Sequence, residues 1–352
     1  MERREAKIPA RQTRSSQLPA FRKGGASAAS QPGVSTFSAM GYIIKLIGRK
    51  AGGRTRFRRL AGFSGRSRAM QSSTMLKSST IMIPDPELPS GATGLHVVEK
   101  GEGDQAILFI HGLGADHYEF IHQVRYFSNR YRCVTFDLRG FGHSPATANM
   151  SIDRSVLDVK ALAKVLGIRK FILMGHSLGT MIGFDFAARF GEMVDKLIIV
   201  SGTSSIKESS GTYIGLKLMP TLGRFMNDRQ RRLVGGVFAF NIGAFGMRSS
   251  PDVMRYYLRE NPFMFTNKFF ETTATYMDEI AQFDARERIG RIKSPTLVVH
   301  GALDPGIYAI SSLTSAIKVP GSKLHIFPFC GHSPNIETPG NFNALVEEFI
   351  EG

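Results

Sequence analysis

The 352-residue sequence has only two cysteines, Cys133 and Cys330. The first falls in an apolar run that reads as a buried strand and the second in a loop, so no structural disulfide is expected, which fits a reducing compartment. No apolar run approaches the roughly 18 residues that a membrane-spanning helix needs, so no transmembrane segment is expected. The amino terminus lacks the apolar core of a secretory signal peptide. Acidic residues are scarce in one place. Residues 1–80 hold 17 Lys and Arg but 2 acids, which leaves 28 basic and 27 acidic residues elsewhere. The net charge of +16 therefore belongs to the amino-terminal segment. The remainder is close to neutral, so no specific nucleic-acid partner is expected, and nucleic-acid binding through the basic segment is kept as a competing reading.

Residues 1–80 are rich in Arg, Ser, Gly and Ala. Such a composition cannot bury enough apolar surface to offset the entropy of ordering it. The segment reads as a basic, disordered extension. It also has the composition of an organelle transit peptide, and an over-long gene model starting in truth at Met70 or Met75 is a third reading. A cytoplasmic location is expected, or a mitochondrial or plastid one if the segment is a transit peptide.

From about residue 81 the texture changes. Gln105 to His111, Tyr131 to Asp137, Phe171 to Gly175, Lys196 to Ser201, Pro295 to Gly301 and Lys323 to Phe327 are short apolar runs bounded by turn formers, and read as buried strands. Helical spacing connects most of them, as with Val156, Val159, Leu162 and Leu166 before Gly167. Thr338 and Pro339 read as cap and first residue of a last helix. Alternating strands and helices predict an α/β fold, a mostly parallel sheet flanked by helices. The alternation breaks between about 203 and 290, where Phe238, Phe240, Phe245, Met254, Phe263, Phe269 and Phe270 fall among helical segments. This stretch reads as a helical cap inserted over the carboxyl edge of the sheet, most of its aromatics forming a small core of its own.

One strand runs into Gly175-His176-Ser177-Leu178-Gly179. Strand, Gly-x-Ser-x-Gly and helix describe a turn too sharp for side chains at its glycines, with the serine hydroxyl alone at the tip. Asp304 and His332 also follow predicted strands. In a parallel sheet these carboxyl ends open on one edge, where ligands bind. The order Ser, acid, His suggests Ser177 as nucleophile, His332 as general base and Asp304 as the group that orients His332. Loss of activity is then expected below about pH 6–7, where a histidine base becomes protonated. Asp284 competes as the acid but precedes its strand, at the wrong edge. An oxyanion needs two backbone N–H groups. Leu178, at a helix start, offers one, and the turn His111-Gly112-Leu113-Gly114 offers another from Leu113. His111 and His176 read as structural, and Asp137, Arg139 and Ser144 as braces of their loop.

With H-G-L-G, D-L-R-G-F-G-H-S, G-H-S-L-G, V-H-G-A-L-D and C-G-H-S-P in this order, residues 90–352 resemble the α/β-hydrolase superfamily, of the kind with a helical cap. The resemblance implies an eight-stranded sheet, no cofactor and no metal. It also implies an alternative acid position after the preceding strand, which Gly202 leaves empty. Thr180 stands where Gly or Ala is frequent, and Pro305 follows Asp304 directly. Dehalogenases and most epoxide hydrolases of this fold carry Asp at the elbow, so Ser177 implies acyl chemistry. The expected activity is that of an esterase- or lipase-like serine hydrolase on small-molecule carboxylic esters with an apolar acyl or alcohol group. A carbon–carbon bond hydrolase of the same fold and a non-catalytic ligand receptor are the alternatives.

Overall fold

Runs of β-branched and aromatic residues, too short for helices and bounded by Gly, Asp and Pro, become the strands of a single sheet. In the computed structural model, which describes residues 76–208, 227, 230, 250–257 and 266–352, the strands are β1 Lys77–Pro84, β2 Ala92–Lys100, β3 Ala106–Ile110, β4 Arg132–Phe136, β5 Phe171–His176, β6 Val194–Val200, β7 Thr296–Gly301 and β8 Lys323–Phe327. Their order across the sheet is β1-β2-β4-β3-β5-β6-β7-β8. The pairs β1–β2 and β2–β4 are antiparallel, and every other pair is parallel. This is the expected α/β fold, a mostly parallel eight-stranded sheet.

The described α-helices are α1 Ile121–Phe127, α2 Ile152–Val165, α3 Leu178–Arg189, α4 Pro251–Arg255, α5 Asn267–Gln282, α6 Ala309–Lys318, α7 Pro334–Glu337 and α8 Pro339–Glu351. Because successive strand residues point to opposite faces, each central strand feeds two cores. Leu108, Ile110, Leu173, Leu197 and Ile199 meet Val156, Val159 and Leu162 of α2 and Met181, Ile182 and Phe186 of α3. Ile107, Phe109, Ile172, Met174, Ile198 and Val200 meet Val124 and Phe127 of α1 and Phe342, Val346, Phe349 and Ile350 of α8. Burial on both faces is why these strands read as unbroken apolar runs rather than alternating ones.

Two expectations change. Strand β1 starts at Lys77, inside the segment read as a disordered extension up to residue 80. It is an edge strand whose Lys77, Ser78, Ser79 and Thr80 are exposed, so the first half of its sequence carries no apolar residue. Its backbone is ordered instead by pairing from Lys77↔Glu99 to Pro84↔Ala92, and Pro84 at the end of an edge costs no ladder bond. Residues 1–75 lie outside the described residues, as do Phe238, Phe240, Phe245, Phe263 and Phe265. The expected core of the insertion therefore rests mainly on residues outside the described ones. Tyr276, Met277, Ile280 and Ala281 of α5 join the first sheet core, and Val253, Tyr256 and Tyr257 pack with Ile121 and Ile336. Second, Thr338 stands before α8 but its hydroxyl donates to Pro334 O at 3.3 Å rather than capping the helix.

Arg139, after β4, is fully buried. Its Nε and Nη2 donate to the two oxygens of Asp158 at 2.6 and 2.7 Å, and Nη1 reaches Asp85, Thr147 and Asn149. A buried guanidinium is tolerated only when its donors are met in this way. The pairing ties the loop after β4 to α2 and to the end of β1, which holds one wall of the sheet's carboxyl rim in place.

Candidate active site

Ser177 sits between β5 and α3 with φ 51° and ψ −112°. A serine in this region is strained, and it persists only where surrounding contacts fix it. Ser177 N donates to Val200 O at 3.0 Å, and the backbone N–H and the hydroxyl of Thr180 donate to Ser177 O at 3.0 and 2.7 Å. The flanking glycines are set by close approach. A Cβ on Gly175 would lie 2.2 Å from Gly179 O, and one on Gly179 would lie 2.1 Å from Ile110 O. Both neighbours are backbone and cannot turn away. Gly179→Ala is therefore expected to push α3 off β3 and lower stability by about 2–4 kcal/mol. Urea unfolding measures this, and an unchanged midpoint would show that the elbow can yield.

Thr180 and Gly202 are explained together. A Cβ on Gly202 would fall 1.6 Å from Thr180 Oγ1. The threonine side chain occupies the space that an acid at residue 202 would need, so the larger residue at 180 and the missing side chain at 202 are one packing solution.

His332, in the loop after β8, is 3 % exposed. Its Nδ1 donates to Asp304 Oδ2 at 2.6 Å. Asp304, in the loop after β7, also has His300 Nε2, which donates to Ile307 O at 2.8 Å, in longer contact with Oδ2 at 3.2 Å, and accepts at Oδ1 from the backbone N–H groups of Gly306 and Ile307 at 2.8 and 3.0 Å. Pro305 leads the chain directly into this turn. Burial pushes the Asp304 carboxyl up. The charge of His332 and the hydrogen bonds from His300 and His332 outweigh it and hold the group well below the usual carboxylate range. Asp284, the competing acid, is elsewhere. It binds Arg286 through Nε at 2.8 Å and Nη2 at 2.5 Å, and that pairing lowers its carboxyl to about 2.

The imidazole of His332 packs 4.8 Å, centre to centre, from that of His176, the residue before the serine. The Ser177 hydroxyl makes no hydrogen bond to His332 among the described residues; the bond between nucleophile and base commonly shortens only when substrate is bound. The turn after β3 closes the other side. A Cβ on Gly112 would be 3.2 Å from Ser177 Cβ, so Leu113 follows directly on a residue in contact with the serine. His111 is held at both nitrogens, Nδ1 donating to Gly112 O at 2.8 Å and Nε2 accepting from Leu138 N at 2.9 Å.

One buried residue gave no signal in the sequence. Glu119, in the turn His117–Phe120, accepts from Gly112 N at Oε2 and from His176 Nδ1 at Oε1, both at 2.8 Å, while His176 Nε2 donates to His332 O at 2.9 Å. A carbonyl can only accept, so His176 donates from both nitrogens and is the imidazolium form. Burial opposes this, but Glu119 raises the His176 value, and His176 lowers that of Glu119 against the same burial. The pair ties the turn carrying Leu113 to the loop carrying His332. Glu119→Gln is expected to cost about 1–3 kcal/mol. The carboxylate contributes above about pH 4.3, its unfolded value, and the imidazolium below about pH 6.5, its own. The difference from wild type should be widest between those limits and shrink at pH 9, which thermal unfolding at the two pH values measures.

The insertion reaches this rim. Tyr256 and Tyr257 donate to Asp116 at 3.0 and 3.2 Å, and Tyr256 stacks on Tyr118 at 3.9 Å. The ring of Phe269 lies where a Cβ on Gly114 would be 3.2 Å away.

Residues 105–339 match the family described as the α/β hydrolase fold. The human "Serine hydrolase BPHL" is 26% identical over 271 residues, covering 73% of this chain and 83% of that protein. A "2-hydroxy-6-oxononadienedioate/2-hydroxy-6-oxononatrienedioate hydrolase" of Burkholderia vietnamiensis is 27% identical over 269 residues, covering 73% and 90%. Among solved structures, a hydrolase from Pseudomonas aeruginosa superposes with a TM-score of 0.64 at 22% identity, covering 78% of this chain and 98% of that one. None of the described helices is long and apolar enough to cross a membrane. A sheet of this order, a serine elbow at the end of β5 and a match over most of the chain lead to one conclusion: the chain belongs to the α/β-hydrolase family.

Proposed function

We propose that this hydrolase is a serine hydrolase that cleaves small-molecule carboxylic esters with an apolar acyl or alcohol group through an acyl-enzyme. The observation that carries the reading is the 2.6 Å bond from His332 Nδ1 to Asp304, formed beside the serine elbow. It leaves His332 Nε2 as the nitrogen able to take a proton. Ser177 Oγ attacks the ester carbonyl while His332 Nε2 accepts its proton, and Asp304 stabilises the imidazolium that results. The carbonyl oxygen, now negative, lies against the N–H groups of Leu113 and Leu178, neither of which has an acceptor among the described residues. Collapse expels the alcohol, which takes the proton from His332. A water then attacks the acyl-enzyme by the same route and frees the acid.

The segment from about 203 to 290 is assigned as the cap over this site. The aromatic ring of Phe269 against Gly114 supports an apolar substrate, since it borders the turn that carries Leu113. With p-nitrophenyl esters of increasing acyl length, kcat/KM is expected to rise roughly three- to fourfold per methylene until the acyl pocket is filled. A flat series would remove the apolar preference. The Burkholderia relative, named for a carbon–carbon bond substrate, favours a second reading with the same residues. Turnover of a 2-hydroxy-6-oxo-dienoate with no turnover of any ester would establish it instead.

A further inference from the structure

Three of the nine histidines meet at a point that ester cleavage does not use. His96 lies on β2, His117 in the turn after β3 and His143 in the loop after β4. Their ring centres are 4.9 Å apart for His96 and His117, 4.7 Å for His96 and His143, and 6.2 Å for His117 and His143. Behind them is the fully buried carboxylate of Asp137. It accepts from both the backbone N–H and the Nδ1 of His117 at 2.7 Å, and from the backbone N–H of His143 at 2.8 Å.

We propose that His96, His117 and His143, with Asp137 behind His117, form a binding site for a divalent transition-metal ion of the zinc type.

The first argument is the state of His117. Its Nδ1–H points at Asp137, so the lone pair is on Nε2. A carboxylate on the far nitrogen is the usual support of a metal-bound imidazole, because it fixes the tautomer and raises ligand basicity. The second is spacing. With metal–nitrogen bonds of about 2.0–2.1 Å, an imidazole centre stands roughly 3.2 Å from the metal, and three tetrahedral ligands place their ring centres roughly 5.2 Å apart. The three observed separations bracket that value. The ligand atoms of His96, His117 and Asp137 already lie within 4.8 Å of one another.

The third argument is availability. His96 Nε2 makes one long contact, 3.4 Å to the Ser78 hydroxyl. His143 is exposed at its side chain while its backbone is anchored to Asp137. The donor set then selects the ion. Imidazole nitrogens suit zinc, nickel and copper, whereas magnesium and calcium require oxygen ligands. An ion here would join β2 to the loops after β3 and β4. These loops border the insertion, since Tyr256 packs edge-on to His117 at 6.0 Å and Lys268 donates to Ser144 O at 2.7 Å.

The test uses the untagged full chain, stripped with a chelator and titrated calorimetrically with Zn2+. No histidine precedes His96, so the amino-terminal segment offers no imidazole that could mimic the site. One Zn2+ per chain is expected, with no heat from Mg2+. His96→Gln and His143→Gln should each weaken binding by at least about tenfold, and His325→Gln, on β8, should not. The exposed position of His143 makes loss of fold an unsuitable explanation for that variant, and circular dichroism checks both. Co2+ should give the visible absorption of a four-coordinate ion that disappears in His143→Gln. Absence of stoichiometric Zn2+ binding, or binding unchanged in both variants, overturns the proposal. Neither result bears on the ester chemistry, which uses other residues.

Discussion

Ser177→Ala is expected to abolish ester hydrolysis, lowering kcat by about 10^5–10^6, the scale on which removal of a serine nucleophile acts in such sites. A fluorophosphonate probe, which labels wild-type protein at the serine, should leave the variant unlabelled. The reason is geometric. Ser177 stands at a strained turn between β5 and α3, φ 51°. The contacts that hold the turn are made by its backbone, through Val200 O and Thr180, so alanine should keep the fold and the thermal midpoint should change little. Retained labelling in a folded variant would remove Ser177 as nucleophile. A wild-type protein that is folded yet never labelled would favour a ligand receptor built on the same fold.

Asp304→Asn is expected to lower kcat by about 10^3–10^4 with little change in KM. Asp304 accepts on both oxygens, from His332 on one side and from the backbone of Gly306 and Ile307 on the other. An asparagine has one oxygen and one NH2. If its oxygen keeps the two backbone N–H bonds, its NH2 faces His332 and requires Nδ1 as acceptor. The proton of His332 then sits on Nε2, which can no longer take one from serine. Asp284→Asn is the control, since Arg286 and Lys207 hold that carboxylate, and it should leave kcat unchanged. Because the Asp304 carboxyl lies well below the usual range, it stays ionised through any ordinary assay, and acid loss of activity should not follow its titration. Equal activities for Asp304→Asn and wild type would sink the assigned role.

Much of this site was legible in the chain because the chemistry falls at strand ends. Buried parallel strands announce themselves as short apolar runs. The polar group next to each run, Gly-x-Ser-x-Gly after β5, Asp304 after β7 and His332 after β8, is carried to one rim by the topology. Strand β1 escaped the same logic because an edge strand needs no apolar residues, only a partner with free N–H and C=O groups. Glu119 escaped because a single acid in a short turn has no pattern. Its role exists only once His176 and Gly112 lie on either side of it. The exchange between Thr180 and Gly202 was visible as two oddities and became one fact when a Cβ at 202 was found to overlap the Thr180 hydroxyl.

By itself, then, the sequence determined the α/β alternation, the elbow and the order of the three polar groups, since these come from periodicity and from glycines that local geometry demands. The tertiary structure alone decided that a buried Glu119–His176 pair links the two loops beside the serine, and that three histidines from separate segments converge over Asp137. Contacts of that kind join residues dozens to hundreds of positions apart, and distance through space has no trace in the local pattern of a chain.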